Sequence, residues 1–273
     1  MRPRFLLLCA LVSVVSCGKY HPSPVAEMVL VKGGALPEGS LLMGQIVEDF
    51  RIGRTEVTWG EWKAVSGWAK TKGYDLAGVG GTNRYDLAGV GGTVLYFGLP
   101  SFYLDQLPVV GVSWHQALKW CNARSEKEGK TPVYLVSGAV YRTGDSVPTV
   151  DANANGYRLP LDAEWEWAAR GGVNSKGYTY SGSNVASEVA WMDANSGGGT
   201  NPVGSKKANE LGLSDMSGNV WEWCWDAAGT NRRRRGGSWG NTANECALVY
   251  QYSFPPTLSY SLLGFRIALR AAP

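Results

Sequence analysis

Ser113–Gly129 carries the strongest periodic signal in the chain. Ser113 is a good helix-capping residue, and Trp114, Ala117, Leu118 and Cys121 follow at i, i+3, i+4 and i+7. That spacing lays apolar side chains along one face of an α-helix. Gly129 supplies the stop. Two shorter segments read the same way. Thr58 precedes Trp59–Lys70 with Trp62, Val65 and Ala69 on one face, and Asp162–Arg170 groups Trp165, Ala168 and Ala169 before Gly171-Gly172. The rest is Gly- and Asn-rich loop punctuated by short apolar runs. Met28–Lys32, Val220–Trp225, Gly236–Trp239 and Gly264–Leu269 are the strand candidates. The expectation is an α+β fold with much irregular loop structure, as one domain over 28–273.

The N-terminus reads as an address. Met1–Arg4 is basic, and Phe5–Val15 is apolar but too short for a bilayer, which needs about 20 apolar residues. Val14-Val15-Ser16-Cys17 then resembles a bacterial lipobox. It implies a signal peptide over 1–16, lipidation of Cys17 and a polar, proline-bearing tether over 17–27. The expected location is the bacterial cell envelope, lipid-anchored at the outer-membrane surface, with the acyl chains as sole membrane contact.

Several function classes are excluded by counting. The formal charge is only +3, and signal cleavage removes Arg2 and Arg4. A nearly neutral body argues against nucleic acid despite the run Arg232–Arg235, which is expected to flank a strand and pair with local carboxylates. Cys121, Cys224 and Cys246 make no disulfide framework and no CxxC pair. With His21 and His115 the only histidines, a histidine-rich metal centre cannot be built. Glu164 and Glu166 stand at i and i+2 of a helix and point apart, so they are no acid/base pair. Trp221, Trp223 and Trp225 alternate on one face and are expected to be core. Tyr74–Thr82 and Tyr85–Thr93 are the same nonapeptide, read as a duplicated surface loop, since two copies are too few for a solenoid.

The C-terminal stretch Arg235–Arg270 has Gly-bearing ends and a middle packed with Tyr, Ser, Phe and Leu. Tyr brings large contact area with few torsions to freeze, and Ser brings adaptable hydrogen bonds, the composition of evolved binding surfaces. Tyr250, Tyr252 and Phe254 alternate, which also suits a core-facing strand ended by Pro255-Pro256. Ser259-Tyr260-Ser261 suits a core poorly, because its hydroxyls would need buried partners.

Five motifs now stand in order: GVSWHQALKWCNARSEKEG (111–129), GYRLPLDAEWEWAARGG (156–172), NPVGSKKANELGLSDMSGNVWEW (201–223), RGGSW (235–239) and GFRIALR (264–270). Together they resemble the formylglycine-generating-enzyme, or sulfatase-modifying-factor, family. The resemblance implies a C-type-lectin-like fold. Catalytic members hold copper with two cysteines after the GGS motif; the matching positions here are Asn241 and Cys246. One thiolate makes a poor copper(I) site, so a copper-dependent oxidase acting on sulfatase cysteines is the disfavoured alternative. The family's non-catalytic branches include the variable proteins of diversity-generating retroelements, whose Asn codons of form AAC are rewritten to NNC. That resemblance implies a variable region within 235–270 and an unknown protein or other surface ligand bound by it. The residues implicated are Trp239, Asn241, Thr242, Asn244, Tyr250, Tyr252, Ser253, Phe254, Leu258, Ser259, Tyr260, Ser261 and Leu262. Trp239, Glu245 and Gln251 cannot be reached by NNC codons and would be fixed scaffold. No cofactor is required on this reading. A structural calcium is implied by DMSGNVWE, with side-chain oxygens from Asp215 and Glu222 and carbonyls from Gly218 and Val220.

Overall fold

The helices form where the periodicity puts them, each held by a cap. In the computed structural model, which describes residues 27–76, 80–82 and 100–271, α1 spans Trp59–Lys70. The Thr58 hydroxyl accepts from the Glu61 N–H, and the Glu61 carboxylate accepts from the Thr58 N–H. This reciprocal pairing satisfies donors that a helix start leaves open. Ser113 and Gln116 repeat it at α2 (Trp114–Lys127). α3 covers Asp162–Ala169, with Arg170 as its C-cap rather than its last turn. Between α1 and α2, Trp62 and Trp120 stack with centroids 6.1 Å apart. Phe265, from the C-terminal GFR, meets both rings edge-on at 6.2 and 5.4 Å.

Two of the four sheets among the described residues position the site. Strands β1 (Met28–Val31), β2 (Phe50–Gly53), β3 (Trp221–Ala228), β4 (Asn231–Arg235), β5 (Gln251–Phe254), β6 (Leu263–Gly264) and β7 (Ala268–Arg270) define them. One sheet has the order β1-β2-β7, all antiparallel, so strands near both chain ends close on β2. The other has the order β5-β4-β3-β6, with β6 parallel to β3.

Four readings need correction. Gly236–Trp239 is not a strand: Gly236 and Gly237 sit at φ of 96° and 74°, which ends the ladder after Arg235. Gly264–Leu269 splits, because Leu263–Gly264 pairs with β3 while Ala268–Arg270 pairs with β2. The arginine run forms β4 itself instead of flanking a strand. The first nonapeptide copy is not simply surface: Tyr74 and Leu76 are buried and Gly81 bridges Val110. The second copy lies outside the described residues, as do the signal segment, Cys17 and all of the tether but Glu27.

Trp221 and Trp223 are buried as expected, and the Trp223 indole donates to the Val112 carbonyl at 2.9 Å. Cys121, Cys224 and Cys246 are free thiols, all buried. His115 is buried, with Nδ1 3.0 Å from the Tyr141 hydroxyl. Among the described residues, no helix is long and apolar enough to cross a membrane.

Candidate functional site

The four arginines of β4 divide by the pleat of the strand. Arg233 and Arg235 face α3. Arg235 donates from Nε to Asp162 Oδ1 at 2.5 Å, from Nη2 to Glu166 Oε2 at 2.9 Å and from Nη1 to the Leu248 carbonyl at 3.2 Å. Arg233 reaches the same Asp162 only at 4.0 Å. Arg232 and Arg234 take the opposite side and lie on aromatic rings. The Arg232 guanidinium sits 3.9 Å from the Trp114 ring centroid and donates to the Trp225 carbonyl at 3.0 Å. Carboxylate pairing therefore describes one side of the run and not the other.

Arg234 is the centre of an aromatic cluster. Its guanidinium lies 4.5 Å from Trp221, 4.9 Å from Tyr252, 5.1 Å from Phe254 and 5.3 Å from Tyr260. Cross-strand pairing causes this, since Tyr252 stands opposite Arg234 in the β5–β4 register. Tyr250 stacks on Tyr252 with centroids 6.4 Å apart and planes 3° from parallel. Phe254 contacts Tyr260 at 5.0 Å. The outer members meet solvent: Tyr252 and Leu258 are each 51% exposed. Thr257 and Ser259 are exposed too, while Tyr250, Ser253, Phe254, Tyr260, Ser261 and Leu262 are half-buried.

The two open readings of this segment thus resolve by residue: one side of β5 rests on Arg234 and Trp221, and its outer surface is open. Arg234 itself was missed by the sequence reading. The signal was available in the spacing of two residues between Arg232 and Arg234 beside alternating Trp221, Trp223 and Trp225.

The start of the segment is frame rather than face. The Asn241 side chain accepts from the Ser238 hydroxyl at 2.5 Å and donates to Glu245 Oε1 at 2.8 Å. Its backbone carbonyl accepts from the Asp193 N–H at 2.9 Å. Thr242 caps the short turn Ala243–Cys246 through Glu245, at 3.0 and 3.1 Å. Trp239 donates its N–H to the Asn219 carbonyl at 2.8 Å and its indole to the Ser261 carbonyl at 3.4 Å. Asn241 is thus spent on internal bonds, whereas Thr242 and Asn244 remain exposed. Beneath them Cys246 is fully buried, and burial pushes its thiol up to about 12. A thiol in that state is a poor nucleophile and a poor metal ligand.

The residues read as a calcium loop are brought together only in part. Glu222 is taken: Oε1 and Oε2 accept from Arg266 at 2.6 Å each, and Oε2 also accepts from the Trp165 indole at 2.6 Å. While paired in this way Glu222 cannot serve a cation, which corrects that part of the expectation. Asp215 differs. Its Oδ2 accepts from the Gly204 N–H at 2.6 Å, but Oδ1 is buried without a partner. Burial, with further push from the Glu222 charge, raises its carboxyl to about 6. Glu56 nearby is raised well above the ordinary range, by burial first and then by Asp215 and Glu222. Asp215 Oδ1 is thus left open, in the same loop as the Gly218 and Val220 carbonyls. Among the described residues, however, no three His, Cys, Asp or Glu side chains converge on one metal position.

A family model described as the sulfatase-modifying factor enzyme 1-like domain matches residues 17–271. Chaperone protein LppX of Paenibacillus barcinonensis is 34% identical, over 92% of each chain. Inactive C-alpha-formylglycine-generating enzyme 2 of Mus musculus is 30% identical over 61% of this chain and 50% of its own length. The crystal structure of CarF covers 91% of this chain and 99% of its own, at 30% identity and a TM-score of 0.76. Treponema denticola variable protein 1 covers 89% of this chain and 95% of its own, at 30% identity and a TM-score of 0.69.

Proposed function

Because the chain belongs to the sulfatase-modifying factor family, as a non-catalytic member with its C-type-lectin-like fold, we propose that it binds a ligand through a diversified face. That face is formed by Tyr250, by Tyr252, Ser253 and Phe254 of β5, and by Leu258, Ser259, Tyr260, Ser261 and Leu262 of the loop that follows, with Thr242 and Asn244 at its edge. The observation that carries the reading is the pairing of an open Tyr/Ser/Leu surface with a rigid stem. Exposed aromatics such as Tyr252 can bury large area on contact, and a few such residues dominate binding. The likeness to Treponema denticola variable protein 1 supports a face whose residues change while the frame persists. Asn241 and the buried Cys246 support binding over copper chemistry. The Val14–Cys17 motif supports display from the bacterial envelope through a lipid on Cys17, and the nearly neutral body supports a protein or other surface ligand over nucleic acid.

The test is a library in which those nine positions of β5 and its loop are rewritten with NNC codons. Most members should keep the parental melting temperature, and selection against an arbitrary protein should yield binders. Collapse of most members would mean that these residues are core. A second reading is holding another polypeptide during its maturation, favoured by the likeness to chaperone protein LppX across nearly the whole chain. Suppressed aggregation of a client protein, unaffected by Tyr252→Ser, would favour it over the diversified face.

A further inference from the structure

Arg234 is 7% exposed, yet its Nε and Nη1 are buried with no hydrogen-bond partner. Among the described residues it makes no ion pair, although Arg235 beside it makes two. The charge of Glu245 is felt at Arg234, but that carboxylate's oxygens are engaged by Asn241 and Thr242. Burial lowers the guanidinium to about 10, so it stays charged at neutral pH and carries the cost of desolvation. Ring faces offset part of that cost, by about 2 kcal/mol at best for a desolvated cation–π contact. They give Nε and Nη1 no acceptor, and a buried donor without an acceptor is rare in a folded protein.

We propose that Arg234 is the fixed anion-binding floor of the diversified face, and that the ligand group it takes is a carboxylate on an acidic protein segment. This deepens the binding reading above and rests on it. Arg234 precedes the variable stretch, so every variant would keep the cation while Tyr252, Phe254 and Tyr260 around it change. All variants would then share a demand for one negative charge and differ in what flanks it. A carboxylate matches one guanidinium in charge and in its two-point hydrogen-bond geometry. A phosphate dianion would be left half-neutralised, because no second Lys or Arg lies on these four rings among the described residues.

The mature chain, labelled with nitrogen-15, is titrated with N-acetyl-aspartate N-methylamide while arginine Nε–Hε signals are followed. The signal missing in Arg234→Met should shift saturably, with Kd on the order of 10 mM for one charge-assisted pair. The asparagine analogue should bind at least tenfold more weakly, and Arg233→Gln should change nothing. Arg234→Met should melt no lower than the parent, because an apolar chain replaces an unpaired buried charge. No shift, an equal response to the asparagine analogue, or a clear fall in melting temperature would overturn the proposal. Tighter binding of inorganic phosphate would overturn the choice of carboxylate. If the titration is silent while the NNC library still folds and yields binders, only the anion floor falls. If that library collapses, the face falls with it.

Discussion

Arg235 joins the frame of the binding segment to the core, and removing it should be expensive. Its side chain is fully buried and bonds Asp162, Glu166 and the Leu248 carbonyl at 2.5, 2.9 and 3.2 Å. In Arg235→Met, Glu166 keeps Arg170 at 2.8 Å, but Asp162 keeps only Arg233 at 4.0 Å. Breaking a buried pair by removing one partner costs about 3–5 kcal/mol, because a charge is stranded in a poor dielectric. For a chain of this size that lowers the melting temperature by roughly 6–20 °C, at about 2–4 °C per kcal/mol. Calorimetry or denaturant unfolding of Arg235→Met against the parent measures it, with Arg233→Met expected within about 0.5 kcal/mol. Asp162→Ala added to Arg235→Met should recover part of the loss, since the stranded carboxylate is gone. A loss below about 1 kcal/mol for Arg235→Met, or an equal loss for Arg233→Met, would refute the assignment of the stem to this network.

Three further outcomes are expected. Burial raises the Asp215 carboxyl from the ordinary aspartate range, about 4, to about 6, so the folded state holds a proton that the unfolded state releases earlier. Stability should therefore fall as pH rises from about 4 through about 6, by about 3 kcal/mol for this group alone. Asp215→Asn should flatten that slope; excess calcium should flatten it too if the cation claims Oδ1, and an unchanged slope on chelation would leave the loop metal-free. Gly237→Ala should cost about 3 kcal/mol or more, because φ is 74° and the new Cβ would stand 2.7 Å from Cys246 Sγ. A parental melting curve would contradict that. Cys246 should resist alkylation in the native protein and react on unfolding, as its burial and raised pKa require; rapid native labelling would count against a closed frame.

The helices were legible because their signals are local. Ser113 with Gln116, and the run Trp114, Ala117, Leu118 and Cys121, need no knowledge of the rest of the chain. The five motifs made the overall fold legible in the same manner. Gly236–Trp239 misled because an apolar residue beside two glycines resembles a strand end, while the left-handed backbone that breaks it depends on Cys246 packing from afar. The arginine run misled because four like charges read as the flank of a strand paired with local carboxylates, not as a strand. The pleat of β4, fixed only by pairing with β3 and β5, sends two of them to carboxylates and two to aromatic rings. For the calcium loop, the sequence places Glu222 in a donor pattern but cannot reveal that Arg266 already holds it.

The register of β3 has one more consequence. Arg235 pairs with Glu222 from one side and Gly264 pairs with Glu222 from the other. Residues 236–263 therefore leave and return across a single residue, with ends about 10 Å apart, two strand spacings. The entropy of closing such a loop is set by this gap and only slowly by length, each doubling costing about 0.6 kcal/mol. The exposed stretch 257–259 should thus accept insertions as readily as substitutions, and a foreign peptide spliced after Leu258 would be presented without refitting the sheet beneath it.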